Sequence, residues 1–390
     1  MSDHSKKRQS GFSLLEMVIS MALGTIVLGS AVQIYIQGVS ATWTVTQRAE
    51  MQQDFRAASV MMTKDLSLAG AGLGSGAAIP LAKPTTPQFG CDQTAHCYLN
   101  GIAGTYPLQS GSPYMYGLIP GYNLGPILNA VQGATDTVTT IYTDSTFYLN
   151  CYSAKITAKG VVTFYQPTSP ATWTTLGCLP NTVTAPQAVN DASLGLTAGD
   201  LVLLTLGGTT MVAEVTGVVT TGVDPSGNTT YIVPFANSDV LKMNQTPAGG
   251  GLNTAALLAA GSSSPAPCGN TGPCRLLAVT YYIDNTIAPP RLMRQVSGHS
   301  PVPVAENVAY LKYSYDLFND STGTQAVNQA DGGVSLGLLP NQITKINILN
   351  MAINSSQMGS QFGQGNGYQR LDLQTSVGAR NLSYVNDYPN

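Results

Sequence analysis

The chain has 390 residues, 43% of them apolar, and only 9% charged against the roughly 25% usual in globular domains. Of its 17 basic and 20 acidic side chains, Lys6, Lys7, Arg8 and Asp3 sit in the first eleven residues, so the remainder carries 14 basic and 19 acidic groups and a net charge near −5. That remainder shows no basic stripe or Arg/aromatic cluster of the kind a nucleic-acid groove needs, so no direct nucleic-acid contact is expected.

The N-terminus reads KKRQSGFSLLEMVISMALGTIVLG, and Glu16 stands at the head of 31 uncharged residues, Met17 to Gln47. About 20 apolar residues suffice to span a bilayer as a helix. Lys6, Lys7 and Arg8 precede the run and nothing comparable follows it, so the basic stub is expected in the cytoplasm and the bulk outside it. A charge inside the core of an ordinary export signal works against insertion, and placing one near the bilayer centre costs about 2.5–3.5 kcal/mol. Two local readings compete for Glu16. Ser13 and Glu16 have the spacing of a capping box, in which each side chain satisfies the other residue's backbone N–H. Alternatively, the segment is a signal peptide cut near Gly29 to Ala31 and Glu16 is lost.

Beyond the uncharged run, Met51, Phe55, Ala58, Met62, Leu66 and Ala69 recur at intervals of three and four, with Gln53, Arg56 and Lys64 off the stripe. No proline occurs before Pro80, and AGAGLGSGA at 69–77 is a natural stop. One helix from about Phe12 to Leu68 is expected, roughly 85 Å long at about 1.5 Å per residue. The expected divisions are 1–11, a membrane-spanning helix over 12–36, its amphipathic continuation over 37–70, and a β-rich region over 71–390.

After Gly76 the texture turns to Pro, Gly and Ser punctuation between strand-like runs. TVTTIYT at 137–143 and VVTFYQ at 161–166 read as strands. LVLLTL, two glycines and TTMVAEVTGVV at 201–219 read as a hairpin, and DPSGN at 224–228 as a turn before TTYIVPF. LLAVTYYID, RLMRQVSG, NVAYLKYSYD, ITKINILNMAI and RLDLQTSVGARN follow as successive strands, while 79–134 and 244–274 are rich in loop signals. The expected class is α+β, a long N-terminal helix whose apolar stripe covers one face of an antiparallel sheet.

Six cysteines in a turn-rich chain with an export-like start point to an oxidising compartment. Loop closure costs least between near neighbours, which favours Cys91 with Cys97, Cys268 with Cys274, and Cys151 with Cys178 among the possible pairings. CDQTAHC at 91–97 offers two thiols and His96 to a metal, but no CxxC pair accompanies it, and no metal or other cofactor is expected. GLGSGA at 72–77 follows a helix where a dinucleotide site needs a preceding strand, and reads as a helix stop. DLFNDSTG at 316–323 fits no twelve-residue calcium loop and reads as a turn. Apart from His4 only His96 and His299 are present, neither in a nucleophile or acid/base context, so no enzyme activity is expected.

KKRQSGFSLLEMVISMALG resembles the class III leader of type IV pilins and pseudopilins. The resemblance implies that a prepilin peptidase cuts between Gly11 and Phe12 on the cytoplasmic side, methylates the new N-terminal Phe12, and leaves the apolar helix as anchor and later filament core. Cutting creates an α-amino group of pKa about 8, a cation near lipid for which Glu16 can supply the anion. The resemblance assigns Glu16 to docking against the N-terminal amine of a neighbouring subunit. Ser20 and Gly24, at small-xxx-small spacing, would let helices approach closely.

MQQDFRAASVMMTKDLSLAGAG at 51–72 is similar to the stretch closing the first helix in the PilW type of minor pilin. RLMRQVSG, VAENVAYLKYSYD, ITKINILNMAINSS and LQTSVGARN are similar in order and character to the PilW tail, covering 275–390, and 77–270 match nothing. The family's common proline in the upper membrane helix is absent, leaving Gly24 and Gly29 as the local weak points. The resemblance implies a structural minor pilin that primes assembly at or near a pilus tip. Its implied partners are a major pilin, PilV-, PilX- and FimU-like minor pilins and a tip adhesin; its implied places are the bacterial inner membrane, with the C-terminal region periplasmic, and then the cell surface. A PulJ-like pseudopilin of type II secretion shares the leader and helix. A pilus-borne adhesive module is the other alternative, motivated by YPLQSGSPYMYGLIPGYN at 106–123.

Overall fold

The structure, a computed structural model, describes residues 11–73, 78–80, 87–94, 96–98, 114–158, 160–167, 173, 178–179, 185–206, 209–237, 239–244, 262–263, 272–354 and 370–382. The chain divides into two compact units, 1–53 and 54–390. The architecture is α+β: one helix, Leu14–Ser67, precedes a series of antiparallel sheets.

In the first unit every side chain from Gly11 to Val39 is exposed. The helix is long and apolar enough to cross a membrane. Three hydroxyls of the apolar run turn back on their own helix: Ser20 donates to the Glu16 carbonyl, Thr25 to Ala22 at 2.8 Å and Ser30 to Val27 at 2.8 Å. Such back-bonding gives each hydroxyl a partner without help from water or another chain.

In the second unit the last helical turns bury Ala58, Met62 and Leu66, and Ala69 just beyond them, while Arg56 and Lys64 stay exposed. Helical periodicity thus becomes a packed face. Gly70 and Gly72 follow with φ of 77° and 71°, a left-handed conformation that glycine adopts without strain. Gly72 also lies so close to Thr143 that a Cβ would stand 1.9 Å from its Oγ1. Residues 74–77 of the glycine cluster lie outside the described residues.

The largest sheet is built on the strand Cys274–Asp284. One of its edges pairs Leu276–Tyr281 with Thr143–Val138. The other is shared, first by Leu203–Leu201 and then by Val296–Arg291. Thr209–Glu214, Leu118–Gly121 and Val302–Ala305 extend this sheet to seven strands. A five-stranded sheet runs in the order Thr220–Val223, Thr229–Pro234, Val161–Tyr165, Ser153–Ala158, Ser262–Ser263. A four-stranded sheet runs Thr324–Gln329, Val308–Asn319, Ile343–Asn354, Arg370–Gly378. Two short pairs, Ala78–Pro80 with Tyr114–Tyr116 and Ile127–Asn129 with Gly133–Ala134, lie within the stretch expected to be loop-rich.

The unbroken apolar run LVLLTL is explained by burial on both faces. Val202 and Leu204 join Phe164, Tyr231 and Phe235 in one core, while Leu201 and Leu203 join Leu276, Tyr282 and Met293 in another. Alternation along a strand sends successive side chains to opposite faces, so a strand between two cores needs apolar residues throughout. The same alternation sends Ile141, Tyr282 and Met293 into the second core and turns Tyr142, Tyr281 and Arg294 toward the end of the helix.

Candidate functional site

Gly11 and Phe12 precede the helix, and Phe12 is 86% exposed. A Cβ on Gly11 would meet nothing within 4 Å. No contact in the described chain requires glycine there, so any requirement comes from what reads the segment. Ser13 and Glu16 form the reciprocal pair that their spacing suggests: Glu16 N–H donates to Ser13 Oγ at 3.2 Å, and Ser13 N–H donates to Glu16 Oε2 at 3.1 Å. Two otherwise orphaned donors of the first turn are satisfied, and a negative charge sits at the positive end of the helix dipole. Gly24 likewise has open space where a Cβ would be, although glycine in a helix interior costs about 1 kcal/mol relative to alanine. Open space beside Gly24 leaves room for the close approach of another helix.

A second acid on the same helix has a different setting. Asp65 lies on the buried side among Met62, Leu66 and Ala69, 3% exposed. Arg294 Nε donates to its Oδ2 at 2.7 Å and Arg294 Nη2 to its Oδ1 at 3.3 Å. Tyr281 Oη donates to Oδ2 at 2.6 Å and Tyr142 Oη to Oδ1 at 3.1 Å. Burial first, and then the Asp65 charge, push both tyrosines above the ordinary phenol range, so they remain neutral donors. This cluster fastens the helix end to the seven-stranded sheet. Tyr313 Oη, on Met62 Sδ at 3.5 Å, adds a contact from the four-stranded sheet. Sequence reasoning noted Asp65 only as part of a motif; its sole local signal is a charged residue on an apolar stripe.

The remaining candidates are engaged structurally. Cys91 is joined to Cys97 and Cys151 to Cys178; Cys274 is disulfide-bonded, and Cys268 lies outside the described residues. Inside the first loop, Asp92 Oδ1 accepts the N–H of Thr94 at 2.9 Å and of His96 at 3.3 Å, and Oδ2 accepts Tyr98 Oη at 2.7 Å. Gln93 of that loop donates to Glu214 Oε1 at 2.7 Å, and the Leu241 N–H to Glu214 Oε2 at 2.7 Å. Burial pushes the Glu214 carboxyl up to about 7. His299 Nε2 lies 2.9 Å from Asp200 Oδ1, and that hydrogen bond outweighs burial to hold the imidazole pKa above its usual value. In DLFNDSTG, Asp316 Oδ1 accepts Asn328 N–H at 2.9 Å and Asn347 Nδ2–H at 3.2 Å, and Asn319 Oδ1 accepts Ser321 N–H at 3.1 Å. Among the described residues no group of three or more His, Cys, Asp or Glu could hold a metal ion. Of the tyrosine-rich loop, 106–113 lie outside the described residues, Tyr116 is buried, and Tyr114 and Tyr122 are exposed.

A family model described as the prokaryotic N-terminal methylation motif matches residues 6–32. No curated protein and no solved structure matches the chain. The matched segment covers the basic stub, Gly11, Phe12, Glu16 and the first half of the apolar run. Proteins with this motif are structural, not enzymatic, and the motif implies processing by prepilin peptidase and association with other pilins. The match, the exposed apolar helix behind it and the carboxylate at the head of that helix support a type IV pilin-like prepilin leader on a membrane-anchoring helix.

Proposed function

We propose that this chain is a minor type IV pilin of the PilW type, a structural subunit that primes assembly and sits at or near the pilus tip. Prepilin peptidase cuts between Gly11 and Phe12 and methylates Phe12. The helix holds the chain in the inner membrane with its C-terminal region periplasmic until the subunit enters a filament with major pilin, PilV-, PilX- and FimU-like subunits and a tip adhesin. Glu16 pairs with the amine of a neighbouring Phe12, and Ser20 and Gly24 line the helix contact.

The observation that carries this reading is the matched leader, with Glu16 held by Ser13 at the head of a helix that carries no other charge before Arg48. A retained helix makes use of that charge, whereas a discarded signal would not. Mass and N-terminal sequence of the mature chain test it: a methylated Phe12 start is expected, and a start near Ala31 overturns it. Replacing Gly11 by leucine should leave the leader attached, with no change in thermal stability because a Cβ there meets nothing within 4 Å among the described residues.

A ligand-binding role carried on the same anchor is favoured by a cleft of about 240 Å³ lined by Thr143, Asp144, Ser145, Phe147, Tyr148 and Asn150. Arg275 neutralises Asp144, with Nε on Oδ2 at 2.8 Å, and lies over the Phe147 ring. The lining is therefore aromatic and polar without net charge, which suits an uncharged polyhydroxylated ligand. Saturable binding of methyl pyranosides to the full chain in detergent would support it, and absence of binding would leave the structural role alone.

A further inference from the structure

Lys312 lies on the strand Val308–Asn319. Its Nζ donates to Asp136 Oδ1 at 2.7 Å and to Asn123 Oδ1 at 2.5 Å. The side chains of Lys312 and Asp136 are 16% and 2% exposed. Asp136 Oδ1 also accepts the Asn123 N–H at 2.8 Å, its Oδ2 accepts the Tyr313 N–H at 3.1 Å, and its own N–H donates to the Leu311 carbonyl at 3.0 Å. Tyr122 places its ring under the Lys312 ammonium, 4.9 Å from the centroid.

This is more than a lysine paired with an acid. A primary amine, a carboxamide and a nearly buried carboxyl group, drawn from three segments, meet at hydrogen-bond distance. The carboxamide carbon stands one C=O bond, about 1.2 Å, behind the oxygen that the amine touches. That places amine and carbon near the roughly 3–3.5 Å separation of reacting atoms in near-attack conformers.

We propose that Lys312 and Asn123 form an intramolecular isopeptide bond, with Asp136 as the proton-transferring group. The Lys312 ammonium passes a proton to Asp136, and the neutral amine attacks Cγ of Asn123. Asp136 protonates the carboxamide oxygen as the tetrahedral carbon forms. On collapse the bond from Cγ to the Asn123 amide nitrogen breaks, that nitrogen departs as ammonium carrying the displaced protons, and Asp136 returns to carboxylate. One C–N bond forms and one breaks, and no oxidant or reductant is needed. Burial pushes the Asp136 carboxyl up, against the lowering effect of its bonds from Asn123, Lys312 and Tyr313, which eases the first proton transfer.

The bond would join residues 189 positions apart, tying the four-stranded sheet to the turn after Leu118–Gly121 in the seven-stranded sheet. It is independent of how the N-terminus is read. The test is the intact mass of the full chain purified in detergent, with tandem mass spectrometry of its tryptic peptides. The expected result is a mass one ammonia below that of the same processed form calculated from sequence, no cleavage after Lys312, and one branched peptide containing Asn123 and Lys312. Lys312→Arg and Asp136→Ala should each restore the calculated mass. A wild-type chain of calculated mass, cut after Lys312, overturns the proposal, and this readout does not depend on either variant folding. Loss of one water would place the bond on Asp136 and overturn the assignment to Asn123, and a bond persisting in Asp136→Ala would overturn the role of Asp136.

Discussion

The helix Leu14–Ser67 carries two acids that share a charge and little else. Glu16 is exposed, and its carboxylate accepts the N–H of Ser13, three residues away on the same helix end. Asp65 is buried and takes one arginine and two tyrosines from the seven-stranded sheet. The same functional group thus serves two purposes set by surroundings. Where the fold supplies partners of its own, the acid is a fastener within the chain. Where the fold supplies only a local cap, the acid remains available to something outside it.

Four variants test that contrast, the first read in filaments and the others in the folded chain. Glu16→Val should leave insertion and leader removal intact while lowering recovery in sheared filaments by at least about tenfold, the ratio that ~1.4 kcal/mol of docking preference represents. Normal recovery would mean that Glu16 is only a cap. Asp65→Ala strands the Arg294 guanidinium in a partly buried site and should cost about 3–5 kcal/mol in chemical denaturation of the full chain, with much of that loss removed when Arg294 is also made leucine. A small loss in the single variant would show that the cluster does not fasten the helix.

Glu214→Gln sharpens the comparison with an acid that the fold keeps protonated. Its folded pKa of about 7 lies above the ordinary 4.5, so between those values the unfolded chain gives up a proton that the folded chain retains. This group therefore lowers stability as pH rises from about 4.5 to about 7, and the effect levels off above that window. The variant should flatten that slope in urea titrations at several pH values, and an unchanged slope would remove Glu214 as its source. Ser13→Ala should have the smallest effect, a loss of about 1 kcal/mol confined to the first helical turn and read as faster amide exchange at Leu15 and Glu16. Unchanged exchange would show that the cap is unimportant.

What could be read from the sequence follows from how local its causes are. The capping pair spans three residues, and the paired strands Leu201–Leu206 and Thr209–Glu214 are separated in sequence by two glycines, so both are visible as short patterns. Thr137–Thr143 coincides with the expected strand for the same reason. Asp65 could not be understood that way, because its partners Tyr142, Tyr281 and Arg294 lie 77, 216 and 229 residues along the chain. Val302–Ala305 and Thr324–Gln329 were missed because both are edge strands with few buried side chains, so no apolar alternation announces them. The expected helix, Phe12 to Leu68, differs from the observed one by two residues at the start and one at the end, since Ser13 caps the helix from outside and the left-handed glycines stop it.

The hydroxyls of Ser20, Thr25 and Ser30 fold back onto their own helix, which has a consequence for how such helices share a bundle. A helix whose hydroxyls at these positions are satisfied internally loses none of those hydrogen bonds when it slips along or rotates against a neighbour. Its flank is a smooth rail with almost no preferred stopping place. A single charge near one end then sets the stagger between adjacent rods, and the rest of the rail stays free to glide until that one position is reached.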